Sequence, residues 1–240
     1  MKAKLSELGP VEIVCVSSGD RESSGVWNRL MGDYHYLGAG PLCGAQIRYL
    51  VRCERFGWLG ALAFSSATLR LKKREEWIGW SARARQANLG RVLLNSRFLI
   101  LPTVEVANLA SHVLSRALGQ VAGDWENRYE VRPVLVETFV DPQRFRGSCY
   151  QAANWTKIGQ TAGGQRAQPN GKRSEGPKDL YVYPLVGDAR DVRELLCREP
   201  ERRLGERPRG PAPRDWVQEE FSALDVDDNR LRERVCTVAR

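Results

Sequence analysis

Histidine is scarce in this chain, and its cysteines are scattered. Only two histidines occur in 240 residues, and the six cysteines (Cys15, Cys43, Cys53, Cys149, Cys197, Cys236) include no C-x-x-C pair. A zinc site draws several such ligands together at short spacing, so no metal is expected and the thiols read as reduced. Nor does anything in the sequence resemble a secretory leader, and none is expected. Its first apolar run, "VEIVCVSS", is the length of a strand and has neither a basic flank nor a small-residue cleavage site. No apolar run approaches the roughly 20 residues that span a bilayer. A cytoplasmic protein without a membrane partner is expected.

What the chain does carry is positive charge. The formal net charge is +8, with 42% apolar and 8% aromatic side chains. That apolar content supports one well-cored domain with an appendage. The cationic excess, mostly arginine, points to an anionic partner, with DNA the first candidate.

Periodicity orders the elements. "VEIVCVSS" (Val11 to Ser18) reads as a strand, and "SSGVWNRLMGDYHYLG" as a Ser-capped helix. Ala45 to Cys53 and Trp58 to Ser65 form a hairpin across a charged turn. A charged connection then leads to a helix over Ser81 to Leu94, with Leu89, Val92 and Leu93 on one face. "RFLILP" (Arg97 to Pro102) is a central strand, because it is almost wholly apolar. "EVANLASHVLSRALGQVAGDW" is an amphipathic helix through Val106, Leu109, Ala110, Val113, Leu114, Ala117 and Leu118. A strand (Arg132 to Asp141), a short helix in "GSCYQAANW" and an extended "TKIGQT" follow. Residues 162–178 form a Gly-rich basic loop, "DLYVYPLV" a last strand and "DARDVRELLC" an Asp-capped closing helix. The fold class is therefore α/β (α+β), a mixed central sheet with helices on both faces. This order resembles the acyltransferase-type (GNAT-like) scaffold. The domains are residues 1–197, a Pro/Arg-rich linker at 198–214, and a short helical tail at 215–240.

Nine segments in order carry a family resemblance: "YHYLG", "GAQIRYLV", "LGALAFSSATLRL", "EEWIGW", "NSRFLILP", "NLASHVLS", "RPVLVETFVD", "GSCYQAANW" and "KDLYVYPL". They resemble the DruA family of the Druantia anti-phage system, a domain also fused to the front of some insertion-sequence transposases. The resemblance covers residues 1–197 and implies a defence or mobile-element setting with partner proteins of such a system, without naming a reaction. The tail "WVQEEFSALDVDDNRLRERV" resembles the N-terminal DNA-binding segment of Tn5-related transposases at Trp216, Glu220, Phe221, Asp228, Arg230, Leu231 and Arg234. It departs from that pattern at "VDDNR", where the family has Leu-Gly-Asp. The chain ends before any acidic catalytic triad, so transposase chemistry is not expected of it.

The candidate residues follow from chemistry. Glu137 is acidic within an apolar strand and is a general-base candidate, or else it sits on a wetter face. His35 is a second acid/base candidate or a packing residue at a helix end. Tyr150 could donate a proton to a leaving group and Asn154 orient a ligand. Cys149 has no histidine in its motif to activate it, and Trp155 reads as core. Arg97 is an anion contact, and Asn108 either binds ligand or caps the helix. Arg166, Lys172 and Arg173 in the loop, with Arg230 and Arg234 in the tail, are the nucleic-acid contacts. An acyl-CoA site would want a Gly-rich turn after the central strand. The turn here, "LPTVEVANLAS", has no glycine and carries Glu105, so an acyl donor is disfavoured.

Two functions compete. The first is a DNA-contacting accessory protein. The second is an acyl- or aminoacyl-group transferase acting on a nucleobase or protein, which requires Glu137 and Tyr150 to open into one V-shaped cleft beside "RFLILP". A truncated, inert reading frame is the third reading.

Overall fold

The computed structural model describes residues 1–17, 19–42, 44–163 and 176–201. The chain divides into two units, Met1–Arg198 and Glu199–Arg240, and nearly all of the second lies outside the described residues. The expected linker from residue 202 onward and the helical tail at 215–240 lie outside the described residues.

In chain order the first unit contains β1 (Lys2–Ala3), β2 (Val11–Val16), α1 (Arg21–Tyr34), β3 (Gln46–Cys53), β4 (Gly57–Ser66), α2 (Lys72–Ile78), α3 (Ala82–Asn88) and β5 (Val92–Ile100). Then come β6 (Glu105–Val106), α4 (Leu109–Tyr129), β7 (Leu135–Val140), α5 (Ser148–Ala152), β8 (Thr156–Gln160), β9 (Asp179–Pro184) and α6 (Ala189–Cys197). Seven strands form one sheet in the order β2-β3-β4-β5-β7-β9-β8, and β1 pairs with β6 separately. Every neighbour in the large sheet is antiparallel except β5 and β7, which run parallel at its centre.

Helices cover both faces. On one, α4 buries Leu109, Val113, Leu114, Ala117, Leu118, Val121 and Trp125 against Tyr49, Phe64, Leu93 and Val136 of the sheet. On the other, α1 packs Trp27 and Met31 onto Leu50, Ala61 and Leu99, and α6 packs Val192 and Leu196 near Val92, Leu135 and Val182. Trp27 ties α1 down further by donating its indole N–H to the Leu62 carbonyl at 3.1 Å. The mixed sheet with two-sided helical cover is thus present, and the GNAT-like strand plan with it.

Local chemistry explains the boundaries. The cap of α1 is Asp20, not the serine expected, and it accepts from the Ser23 amide at 2.9 Å. Asp188 caps α6 as expected, accepting from the Arg190 and Asp191 amides. The helix expected over Ser81 to Leu94 stops at Asn88, and Val92 and Leu93 open β5 instead. The supposed charged connection before it contains α2, whose buried residues are Arg74 and Ile78.

One irregularity positions everything that follows. β5 and β7 pair only at Val92↔Leu135, Leu93↔Val136 and Leu94↔Glu137. Beyond that point β5 stays with β4 alone, and its register slips where Ala63 faces Arg97 but Phe64 faces Asn95. Ser96 is the extra residue of that β-bulge, which bends the strand. Gly60 permits the close approach of β4, since a Cβ there would lie 2.2 Å from the Leu99 carbonyl oxygen. A gap therefore opens between the central strands.

Candidate functional site

Glu137 does not line this gap as an accessible base. Its side chain shares the face of Leu135, where Arg74 of α2 closes over it, and both side chains are 0% exposed. One guanidinium nitrogen, Nη1, donates to Oε1 at 3.0 Å and to Oε2 at 3.2 Å. Arg74 also meets Glu75 at 3.1 Å and lies 5.7 Å from the centre of the Trp80 ring. Burial pushes the Glu137 carboxyl up to about 7, against the pull of Arg74 and of the Thr68 amide. The expectation of a wetter face fails as well, because α2 supplies a buried counter-ion from 63 residues away.

Tyr150 lies on the opposite face. From α5 its hydroxyl donates to Asn95 Oδ1 at 2.9 Å, while Thr138 Oγ1 donates to the Asn95 carbonyl at 3.0 Å. Asn95 Nδ2 in turn donates to the carbonyls of Ala63 and Arg97, both at 3.1 Å. The Tyr150 ring stands edge-on to Phe98 and Trp155 and stacks on Tyr181. These groups fill the gap with an aromatic cluster around one buried polar knot. Burial pushes the Tyr150 phenol and the Cys149 thiol up, away from their ionised forms. The requirement that Glu137 and Tyr150 open into one cleft is thereby contradicted: they point to opposite sides of the sheet and each is enclosed. Gly147, ahead of α5, lets the turn press on Tyr181, where a Cβ would come 2.7 Å from the hydroxyl. Trp155 is core, as read from the sequence; its indole N–H has no hydrogen-bond partner among the described residues.

His35 and Arg97 are brought together. Arg97 Nε donates to the Gly38 carbonyl at 3.1 Å and Nη1 to the Ser96 carbonyl at 2.8 Å, pinning the turn after α1 to the bulge of β5. His35 Nδ1 accepts from the Leu37 amide at 3.2 Å, which organises the same turn. Burial, with Arg97 nearby, lowers the His35 pKa to about 4, so the ring is neutral near pH 7. The turn presents Tyr36 outward beside Phe145, from the segment after β7, with ring centres 5.6 Å apart.

Asn108 and Asn154 hold backbone positions. Asn108 precedes α4 at φ 63° and makes no side-chain cap, and Asn154 leaves α5 at φ 62°. Both are exposed and adopt the left-handed region that asparagine tolerates. An open hollow of about 260 Å³ beside Asn108 is lined by that residue with Leu5, Ser111, His112, Ser115 and Ala152. The residues present do not fit a bound acyl-CoA at the start of α4. The Glu105 amide there donates to the Met1 carbonyl at 2.8 Å, because β1 pairs with β6 and occupies the turn. Aromatic side chains fill the gap in which an acyl chain would have to lie.

Arg166, Lys172, Arg173, Arg230 and Arg234 lie outside the described residues. Sequence reading missed Arg74, Asn95, Thr138, Arg144 and Phe145. A usable signal existed for Asn95, since "NS" interrupts an apolar run where the bulge falls. Arg74 offered a weaker one, four residues before Ile78 on the same helical face. Among the described residues no group of His, Cys, Asp and Glu could hold a metal, and no helix is long and apolar enough to cross a membrane.

Comparison with known proteins gives one family. The family model described as Druantia protein DruA matches residues 1–171. No curated protein matches the chain. Among solved structures it is similar to spermidine N-acetyltransferase from Vibrio cholerae in complex with CoA and spermine, with TM-score 0.45 and 10% identity over 73% of this chain and 95% of that chain. The dodecameric structure of the same enzyme in an intermediate state gives TM-score 0.45 and 10% identity, over 73% of this chain and 94% of that one.

Proposed function

We propose, on the premise that this chain belongs to the DruA family, that it is an accessory protein of an anti-phage defence system or mobile element and that it contacts DNA. The carrying observation is the division of labour around the central gap. The polar groups inside it are consumed by one another, while its outer rim presents arginines and aromatic rings to solvent. Such a surface suits holding a ligand rather than transforming one. The net charge of +8 supports an anionic ligand. On this reading residues 1–197 are the core domain, and the linker at 198–214 tethers the transposase-like segment at 215–240. Arg166, Lys172, Arg173, Arg230 and Arg234 add phosphate contacts, other proteins of the same system are partners, and the protein works in the cytoplasm.

Fluorescence anisotropy of labelled oligonucleotides with the full chain tests this. Binding is expected at low ionic strength, with the logarithm of affinity falling linearly in the logarithm of salt. Absence of binding at low ionic strength would remove the reading.

One observation favours the second reading, acyl or aminoacyl transfer: the divergence of β5 from β7 after three residue pairs. It would require the Tyr150 cluster to open. Mass spectrometry of small molecules retained by the purified protein decides it, because a retained acyl thioester would put transfer first.

A further inference from the structure

Large apolar side chains are exposed at few places among the described residues: Met1, Tyr34, Tyr36, Leu37, Phe56, Leu69 and Phe145. Four of these seven belong to two short segments, 34–37 and 144–146, that touch each other across more than a hundred residues of sequence. Such clustering is not expected of a randomly wetted surface and marks an interaction site.

The composition of the cluster narrows the partner. Its rings are flat and its rim is cationic. His35 stacks on Tyr36 with centres 5.0 Å apart and planes 28° apart, and the Arg144 guanidinium sits 5.2 Å from the Tyr36 centre. Phe145 leans on Tyr36 at 52° and leaves 50% of its surface exposed. Arg146 is exposed next in the chain, and Arg97 stands behind the turn. Opposing them are the exposed Asp33 and the half-buried Asp141, which already pairs with Arg144 at 3.3 Å.

Both segments are also stiff. The Asp141 carbonyl accepts from the backbone amides of Arg144 and Phe145, and its carboxylate accepts from the backbone amide of Gln143, winding residues 141–145 into a turn. Across from it, the Gly38 amide donates to the His35 carbonyl at 2.8 Å, and Arg97 holds the Gly38 carbonyl. Rings fixed in advance lose little freedom on binding.

We infer that this patch holds unpaired nucleic-acid bases, stacked on Phe145 and on the exposed part of Tyr36, with Arg144 and Arg146 meeting the adjoining phosphates. A base has a flat face that an aromatic ring accepts whatever its identity, and its backbone supplies the negative charge that the arginines answer. A paired duplex buries those faces, so the patch distinguishes single-stranded from double-stranded DNA. The inference rests on the DNA-contact reading and goes beyond it by fixing the place and the strandedness.

The test compares anisotropy of a single-stranded oligonucleotide and its duplex on the full chain, for the wild type, the double variant Tyr36→Ala/Phe145→Ala, and the ring-preserving Tyr36→Phe/Phe145→Tyr. Loss of single-strand affinity by about tenfold or more is expected for the alanine pair, with duplex affinity changed less than about twofold, and rescue by the ring-preserving pair. Ultraviolet crosslinking of a bromouracil-containing single strand, read by peptide mass spectrometry, is expected to mark residues 34–37 or 144–146. If the chain binds DNA but the alanine pair binds both forms as the wild type does, this inference falls, DNA contact stands, and the patch is left for a protein partner. If the chain binds neither form at low ionic strength, both fall together.

Discussion

Two polar clusters flank the central gap, one on each side of the sheet, and they solve the same problem differently. On the α2 side Glu137 is buried with a full opposite charge, Arg74. On the α5 side Asn95, Thr138 and Tyr150 are buried with neutral hydrogen bonds only. The difference teaches what each can tolerate. A charge left without its partner in an apolar interior is far more costly than a hydroxyl left without one, so the ion pair should be the brittle side and the neutral knot the forgiving one.

The largest effect expected is therefore at Glu137. Its replacement by alanine leaves the fully buried guanidinium with only the partly exposed Glu75 as counter-ion and should destabilise the fold by about 3–5 kcal/mol, measured by urea denaturation. Replacing both partners with apolar residues, Arg74→Met with Glu137→Leu, should recover most of that loss. If the single and double variants are equally unstable, the pair is not the reason Glu137 is there.

On the other face, Tyr150→Phe leaves Asn95 Oδ1 without its donor and should cost about 1–3 kcal/mol, less than the loss at Glu137. A larger loss at Tyr150 than at Glu137 would invert the comparison.

Between the clusters and the surface, His35 should make stability fall in acid. Its folded pKa is lowered to about 4, so the unfolded chain binds the proton first. Stability from this group is complete above the unfolded value near 6.5 and is lost as the pH drops toward 4. The variant His35→Asn should flatten that part of the pH profile of melting temperature. The smallest effect is expected at Asn154, where alanine at the same positive φ should cost about 1 kcal/mol and glycine almost nothing.

Much of the scaffold was legible because its signals are local. The Asp188 cap of α6 and the apolar stripe of α4 from Leu109 onward can each be read from a dozen neighbouring residues, whereas Val106, read onto the same stripe, lies in β6. The misreading at Ser81 to Leu94 has a definite cause. Val92 and Leu93 face opposite sides of a strand covered on both faces, so their spacing mimics a helix as well as a strand. The candidate site was far less legible. Glu137 announced itself as an anomaly, but its partner Arg74 is remote and hidden in a run of charges. Tyr150 was singled out for a role in an open cleft, whereas it is buried, and nothing local could say that Asn95 would meet it there. Likewise the contact of Tyr36 with Phe145 joins segments that no periodicity connects.

The parallel seam at the centre of the sheet carries a mechanical consequence. With β5 and β7 joined by three residue pairs at one end only, the antiparallel halves β2-β3-β4-β5 and β7-β9-β8 share almost no backbone ladder. Cohesion across the middle passes instead through side chains, the Thr138 and Tyr150 bonds to Asn95 among them, and through the long helix α4 that follows β5 and precedes β7. Shear between the halves is thus resisted by packing that can be edited one side chain at a time, whereas each half keeps its own ladder whatever is done at the join.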